Sequence, residues 1–425
     1  MKNKEDVFVA VDLGGSKLSV MAASKNAEGR LQILALESIT LPYESIQYGV
    51  VKKSKVVASN LNALLEKVQK TIQQKKQSAS CEIKSFYLGI NGNTLRTEPR
   101  TFQQTFSKKI TFSETLLEEL IKKTKQKLSE EGVSSSENIP QEVNPSTNKF
   151  VYEILPQTYS LDNILYEKPF GKICKSLKIS ALLVGGRLSL YAGIADIEKD
   201  LTRFSFRKQL AGVSLADAFL SETEKKQGAI LIDFGAQCTT IVVCKNSVVR
   251  YLSCVPLGGD VITKDLSELT ALDKQEAETI KRQQGSVLHN NDTHLDTKNG
   301  VVSSRKMISV IRARQLEIID FVEQHLEKVG YADLLKQIVV ITGGASKMKD
   351  LDVLLQRERF WNVRMVDLND VVVSQTPKDF LVQENALLVS LLVNARETCC
   401  GSIEQQKRKK EPSVIEKVLK IFEDE

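Results

Sequence analysis

Residues 7–23, VFVAVDLGGSKLSVMAA, and residues 229–244, AILIDFGAQCTTIVVC, are two copies of one design. Each is an apolar strand that ends in an aspartate, a glycine turn and a second apolar strand, the signature of a β-hairpin. Asp12 aligns with Asp233, Leu13 with Phe234, Gly14 with Gly235 and Val20 with Ile241. A chain carrying this hairpin twice reads as two related halves of an α/β protein. A buried strand that ends in paired glycines before a helix also occurs twice, at Ser180 to Gly186 and at Val339 to Gly344. These landmarks lie 173 residues apart in the first half (Asp12 to Gly185) and 110 apart in the second (Asp233 to Gly343). The longer first half implies an inserted subdomain.

The paired hairpins carry a specific chemistry. A phosphate chain needs backbone N–H donors that no side chain obstructs, and glycine-rich turns supply them. A carboxylate beside such a turn can hold Mg²⁺ through water, because Mg²⁺ prefers oxygen and dehydrates reluctantly. Asp12 and Asp233 stand at matching strand ends for that role, and Ser16 or Lys17 could touch phosphate oxygens. One such hairpin alone would be an ordinary turn with an aspartate in it; the matched pair favours the phosphate reading. Glu278 and Lys281 are three apart on a helical stretch and share a face, either as a surface ion pair or as groups that hold a ribose. Thr342-Gly343-Gly344 after a buried strand is either a tight turn or a flat backbone floor for an adenine–ribose unit. Val255 to Asp260, with its Gly258-Gly259 pair, is either a further cleft wall or a loop that ends at a helix cap.

Composition restricts the remaining classes. The 425 residues suffice for more than one core, and 42% hydrophobic with 26% charged residues is ordinary for a globular chain. A net charge of +6 is too mild to argue for nucleic acid. The three histidines sit far from any cysteine pair, which argues against zinc. Seven irregularly spaced cysteines, several in apolar strand-like runs, point to a reducing compartment. No stretch of 18 apolar residues is present. One-face apolar spacing predicts helices over 59–74 and 304–329, and a charged helix over 113–128 with Ser113 as its cap. A further helix is expected over 387–393.

The order of these pieces resembles the actin-like ATPase superfamily: hairpin, glycine unit, hairpin, Glu-x-x-Lys helix, Gly-Gly unit. Within it the chain resembles the FtsA family of bacterial cell-division proteins over nearly its whole length. Phe86-Tyr-Leu-Gly-Ile-Asn-Gly-Asn-Thr-Leu-Arg96 and Val151-Tyr-Glu-Ile-Leu-Pro-Gln157 are similar to the entry and return of that family's 1C subdomain. Val255 to Asp260 with Thr263 and Asp265 is similar to its segment after the second hairpin, and Ser303 to Val322 to its 2B helix. The resemblance implies an actin-like, ribonuclease H-like two-lobed fold. Its first lobe would hold residues 1–90 and 176–210 (1A) around a 1C insert at 91–175. Its second lobe would hold residues 211–394, with 2B at about 286–330. A linker at 395–412 and an amphipathic helix at 413–425 would follow.

The resemblance further implies ATP and Mg²⁺ as ligands. Gly14, Gly15, Ser16 and Lys17 would form the first phosphate hairpin. Gly235, Ala236, Gln237, Cys238 and Thr239 would form the second. Glu278, Lys281, Gly343 and Gly344 would hold ribose and adenine, and Asp12 and Asp233 the metal. Its partners would be further copies in a filament, the tubulin-like FtsZ ring, later division proteins and lipids of the cytoplasmic membrane face at the septum. Many members read Gly-Gly-Gly-Thr-Thr-Asp where this chain reads Gly235-Ala-Gln-Cys-Thr-Thr240. The missing carboxylate implies at most weak ATPase activity, with nucleotide as a structural switch.

The last residues carry their own signal. Ser413-x-x-Glu416 is a capping box. At 100° per residue, Val414, Ile415, Val418, Leu419, Ile421 and Phe422 fall on an arc of about 160°, with charges opposite. Such a short helix is marginal in water and folds on a surface. The run Lys407 to Lys410 adds attraction to anionic lipid, while Glu423-Asp424-Glu425 opposes it. A docked or frayed terminal helix is the plainer alternative. Two other functions share the architecture. A small-molecule kinase would need a committed general base, and no distinct one is present. A pilus-assembly adaptor would lack the terminal helix.

Overall fold

The computed structural model describes residues 6–42, 44–76, 82–130, 134–135, 149–288, 294–297, 300–374 and 376–400. The amphipathic segment with Val414, Ile415, Val418, Leu419, Ile421 and Phe422 lies outside the described residues, as does most of the expected linker.

The first hairpin is strand β1 (Val7–Leu13) against β2 (Leu18–Lys25), antiparallel with Asp12 opposite Ser19. The chain continues through β3 (Leu31–Ile39) and the long helix α1 (Ser54–Lys76) to β4 (Ser85–Ile90). Helix α1 turns Val57, Leu61, Leu65, Val68 and Ile72 into the core, the one-face spacing that the sequence shows. Strand β4 lies parallel to β1, with Val11 beside Leu88, and is buried along its whole length. A continuous apolar run is what a central parallel strand covered on both faces requires.

After β4 the chain leaves the first lobe. Strand β5 (Arg96–Thr111), helix α2 (Glu114–Glu130), β6 (Lys149–Leu161), β7 (Ile164–Tyr166) and β8 (Ile173–Arg187) follow. Their sheet runs β7-β6-β8-β5 and encloses a small core of Phe112, Ile154, Leu161, Leu177, Ile179 and Leu183. Ser113 caps α2, its hydroxyl accepting the Leu116 N–H at 3.1 Å. The chain returns through α3 (Leu188–Asp200) to β9 (Ser205–Leu210), parallel to β4. Phe150 of the excursion stacks on Tyr191 of α3 with ring centroids 4.3 Å apart.

Helix α4 (Ala211–Phe219) crosses to the second lobe. There β10 (Ala229–Phe234), β11 (Thr239–Lys245) and β12 (Val248–Val255) repeat the opening meander, with Asp233 opposite Thr240. Helices α5 (Gly259–Thr270), α6 (Lys274–Gln284) and α7 (Ser304–Lys328) precede β13 (Val339–Thr342) and β14 (Val363–Met365). Strand β13 is parallel to β10, and β14 to β13. The first-lobe order β9-β4-β1-β2-β3 is thus matched by β14-β13-β10-β11-β12. Arg96 of β5 pairs with Ser253 of β12, so the excursion's sheet joins the second lobe's.

Three sequence expectations need correction. The partner of Val339–Thr342 in the first half is β4, not the strand that ends at Gly185-Gly186. Strand β8 lies antiparallel between β5 and β6, outside the first-lobe sheet. Paired glycines marked both strand ends, but pairing direction defines the repeat. The helix over 386–393, assigned to the second lobe, packs on β1, β4 and α4 in the first-lobe core. The linker boundary at 395 is also early: Ala395 and Cys399 are buried in that same core. The Cys399 N–H donates to Val7 O at 2.7 Å, and its carbonyl accepts from the Lys84 N–H at 2.8 Å. Residues 398–400 fill the gap where β1 and β4 splay apart.

Candidate phosphate cleft

Each hairpin turn is closed by a contact that only glycine permits. A Cβ on Gly14 would lie 2.7 Å from Lys17 O, and one on Gly235 would lie 2.8 Å from Cys238 O. The Gly235 N–H donates to Cys238 O at 2.9 Å. Gly343 adopts φ +90, a left-handed region that side chains disfavour. A Cβ there would sit 2.2 Å from Asp233 Oδ1 and 2.4 Å from Phe234 O. The second hairpin and the Gly343-Gly344 turn are therefore in direct contact, as the parallel pairing of β10 and β13 requires.

The two aspartates share one electrostatic environment. Burial pushes the Asp12 carboxyl up from an ordinary 3.8 to about 6, with Lys17 opposing the rise. Burial pushes Asp233 up to about 7, and the Asp12 charge pushes it further the same way. Two carboxylates that repel across a cleft offer hard oxygen donors of the kind a hydrated magnesium ion takes, and such an ion would neutralise both. Of the two, Asp233 has the greater need of a cation, because Lys17 sits by Asp12. The Lys17 ammonium reaches Asn385 Oδ1 at 3.5 Å.

Helix α5 starts at the second hairpin. The N–H groups of Gly259 and Asp260 donate to Gly235 O and Ala236 O, at 3.0 and 2.7 Å. Of the two alternatives for Val255–Asp260, the structure shows the helix cap, Gly258, which packs on the hairpin backbone. Lys281 of α6, 10% exposed, reaches back to Gly259 O at 2.9 Å and Thr263 Oγ1 at 2.8 Å. Its Nζ also lies 2.6 Å from Glu278 Oε2. Arg282 Nε holds the other Glu278 oxygen at 2.7 Å, and the Thr263 hydroxyl donates to Oε2. Burial alone would raise the Glu278 acid, but Lys281 and these donors together hold it below its usual range. Glu278 and Lys281 thus form a closed ion pair whose oxygens are already taken. Glu384 lies against Gly344 and accepts from Arg282 and Lys347, each at 3.4 Å.

The structure brings together Asp12, Gly14 to Lys17, Asp233, Gly235 to Cys238, Glu278, Lys281, Gly343 and Gly344. Thr239 departs from the expectation. It is fully buried and its hydroxyl donates to Leu257 O at 2.8 Å, so its side chain braces the loop after β12. Tyr48, Asn91, Glu384 and Asn385, which sequence reasoning did not single out, also belong here. Thr240 and Asn91 exchange hydrogen bonds across the lobes, with Asn91 Nδ2 to Thr240 Oγ1 at 2.8 Å. The Tyr48 N–H donates to Gln237 Oε1 at 2.6 Å, and Asn385 takes Lys17. Glu384 joins Arg282 and Lys347 at the rim as their shared acceptor. Nothing local in the sequence marks Tyr48, Asn91 or Asn385, since each is defined by a partner more than a hundred residues away. A separate polar cavity of about 1030 Å³ lies away from the hairpins, between the first lobe and the excursion, and is lined by Lys25, Tyr152, Tyr191, Lys208 and Asp217. Its residues carry none of the turn geometry above.

Comparison with known proteins agrees with this architecture. The family model "Cell division protein FtsA" matches residues 230–386, which hold the second hairpin, α5, α6 and the Gly-Gly turn. The cell division protein FtsA of Pseudomonas aeruginosa is 24% identical over 371 residues, covering 81% of this chain and 78% of that protein. That of Bacillus subtilis is 23% identical over 381 residues, covering 86% and 80%. Among solved structures, a PilM–PilN type IV pilus biogenesis complex matches with TM-score 0.61 at 17% identity, over 91% of this chain and 97% of that one. MreB 5 of Spiroplasma citri bound to AMPPNP matches with TM-score 0.50 at 11% identity, over 96% and 98%. Paired lobes of one sheet order, two aspartate hairpins facing a common cleft and these likenesses give the chain an actin-like fold and a similarity to the FtsA cell-division proteins that extends over most of its length.

Proposed function

We propose that this chain binds ATP with Mg²⁺ between its two hairpins, assembles into an actin-like filament and tethers an FtsZ ring to the cytoplasmic face of the membrane at the division septum, where later division proteins join it. The observation that carries the proposal is the pair of half-buried aspartates at matching strand ends, each beside a turn that only glycine closes. The turns of Gly14 to Lys17 and Gly235 to Cys238 would present backbone N–H groups to the phosphates. Asp12 and Asp233 would hold Mg²⁺, which supplies charge neutralisation between them. Lys281 and the Gly343-Gly344 turn would face the nucleoside.

Hydrolysis is at most slow on this reading. Thr240 stands where a carboxylate would orient water, and its hydroxyl is engaged with Asn91. Nucleotide then acts by holding the lobes together, and sustained phosphate release by the isolated protein would contradict this. The terminal segment 413–425 would fold on lipid through Val414, Ile415, Val418, Leu419, Ile421 and Phe422. One such helix binds weakly and a filament presenting many binds firmly. The likeness to MreB 5, a nucleotide complex by its description, supports the ligand reading. The named relatives support the cell-division reading.

Two measurements test it. Calorimetric titration of the full chain with AMPPNP and Mg²⁺ should show one site, lost in Asp12→Asn. Flotation with liposomes of anionic composition should carry the full chain but not a chain cut after Cys400. Absence of nucleotide binding would refute the cleft assignment, and equal flotation would refute the tail.

A further inference from the structure

The two hairpins are alike in backbone but not in reach. Position for position, Ser16 of the first corresponds to Gln237 of the second. Ser16 is exposed, whereas Gln237 spans the cleft and is half-buried. Its side chain lies directly on Gly15: a Cβ there would meet Gln237 Cδ at 2.5 Å, Oε1 at 2.7 Å and Cγ at 2.8 Å. Its Oε1 accepts the Tyr48 N–H at 2.6 Å, and its Nε2 donates to Gly15 O at 3.5 Å. Tyr48 is held at φ +50 and Gly49 at φ +84, so the first-lobe loop that presents this N–H has a defined, left-handed shape. A side chain of the second lobe is thus seated on the backbone of the first lobe's phosphate turn.

We propose that Gln237 is a clasp across the cleft that competes with phosphate for the first hairpin. Resting on the nucleotide reading above, this names the side chain that ligand must displace. A phosphate approaching Gly15 needs the volume that the Gln237 amide fills, so Gln237 must swing out and the Tyr48 N–H loses its acceptor. Clasp and phosphate exclude each other. Entry of nucleotide therefore carries a cost set by this contact, and the loop 46–51 is released on binding. In the first hairpin the short Ser16 side chain cannot reach across, which makes the device one-sided.

The test uses the full chain, its variants Gln237→Ala, Gln237→Asn and Gln237→Glu, AMPPNP with Mg²⁺ as ligand, and hydrogen exchange across residues 44–53 as a second readout. Gln237→Ala should bind AMPPNP about two- to twelve-fold more tightly, the range set by one competing hydrogen bond. Gln237→Asn is too short to reach Tyr48 and should follow Ala. Gln237→Glu keeps an acceptor but adds a charge facing the phosphates, and should bind more weakly than the unaltered chain. Exchange at 44–53 should quicken in Gln237→Ala without ligand, and in the unaltered chain on adding AMPPNP. Equal affinities, or protection at 44–53 unchanged by ligand, overturn the clasp and leave the nucleotide reading intact. Weaker binding by Gln237→Ala overturns it by making Gln237 a ligand of the phosphates. If no chain binds AMPPNP, the nucleotide reading falls and the clasp's competitive role falls with it.

Discussion

Replacing Asp233 by asparagine should stabilise the isolated protein at neutral pH while it removes the proposed magnesium site. Asp233 rises from 3.8 to about 7 in the folded chain because burial and the Asp12 charge both oppose ionisation. A carboxyl raised on folding binds its proton more tightly in the folded state. Stability from this group is therefore highest below pH 3.8, where both states are protonated. It falls as pH rises from about 4 to about 7, the window in which the unfolded chain has ionised and the folded chain has not. Three pKa units correspond to about 4 kcal/mol at 1.36 kcal/mol per unit. Asp233 is partly open to the cleft, and solvent screening reduces the expectation to about 2 kcal/mol.

Urea denaturation of the unaltered chain and of Asp233→Asn, each without nucleotide or divalent cation, measures this directly. Near pH 4 the two should agree to within the small difference between a carboxylic acid and an amide. By pH 7.5 the variant should be more stable by about 2 kcal/mol. Adding Mg²⁺ and AMPPNP should stabilise the unaltered chain and not the variant, reversing the order. A difference independent of pH between 4 and 7, or a variant less stable at pH 7.5, would refute the picture of two carboxylates held in mutual repulsion.

Other consequences follow from the same geometry. Gly343→Ala should lose about 3 kcal/mol or more, from the φ +90 backbone and a Cβ placed 2.2 Å from Asp233 Oδ1. Chemical denaturation reads this, and a loss below about 1 kcal/mol would mean that the turn relaxes freely. Gln315 on α7 is 1% exposed, and neither of its amide atoms has a hydrogen-bond partner among the described residues. Gln315→Met, of similar shape, should raise stability by about 1–3 kcal/mol in the same assay. Glu278→Gln should cost about 1–3 kcal/mol, because it leaves Lys281, 10% exposed, beside a neutral partner. Its AMPPNP affinity should change less than that of Asp12→Asn, since the Glu278 oxygens are engaged within the protein.

The features written in consecutive residues were the legible ones. Both hairpins stand where their apolar runs and glycine turns place them, with Asp12 and Asp233 at the strand ends. Helices α1 and α7 bury the faces that their spacing marks, and Ser113 caps α2. The strand that repeats β13 was misread. Gly185-Gly186 looks like Gly343-Gly344 in one dimension, whereas β4 is the true counterpart, known only by its parallel pairing with β1. Thr239 was taken for a ligand because it sits inside the motif, but strand alternation turns it away from the turn and onto Leu257. Gln237, Asn91 and Tyr48 meet only because two lobes fold face to face, and no window of sequence contains such a contact.

The corrected boundary at the far end of the chain decides how the tail can be tested. Strand β1 begins at Val7, where Cys399 is bonded, and ends beside Asp12 at the cleft. At about 3.3 Å per residue these points lie roughly 17 Å apart, on opposite ends of one rigid strand. Cys400, the last described residue, therefore lies at the edge of the first lobe away from the hairpin turns. Residues 395–400 belong to the first lobe rather than to the expected linker. The Tyr87 hydroxyl accepts the N–H groups of Arg396 and Glu397 at 3.1 and 3.0 Å, and Cys399 bonds Val7 and Lys84. A chain cut after Asn394 loses these four hydrogen bonds and the burial of Ala395 and Cys399. At about 0.5–1.5 kcal/mol per bond, that amounts to several kcal/mol. Such a chain should show a clear fall in Tm, whereas a chain cut after Cys400 should keep the Tm of the full chain. Failure of the shorter chain to float would then report a damaged lobe, and only the longer one isolates the tail. Equal Tm values for the two truncations would show that residues 395–400 are expendable, and would restore the linker boundary to 395.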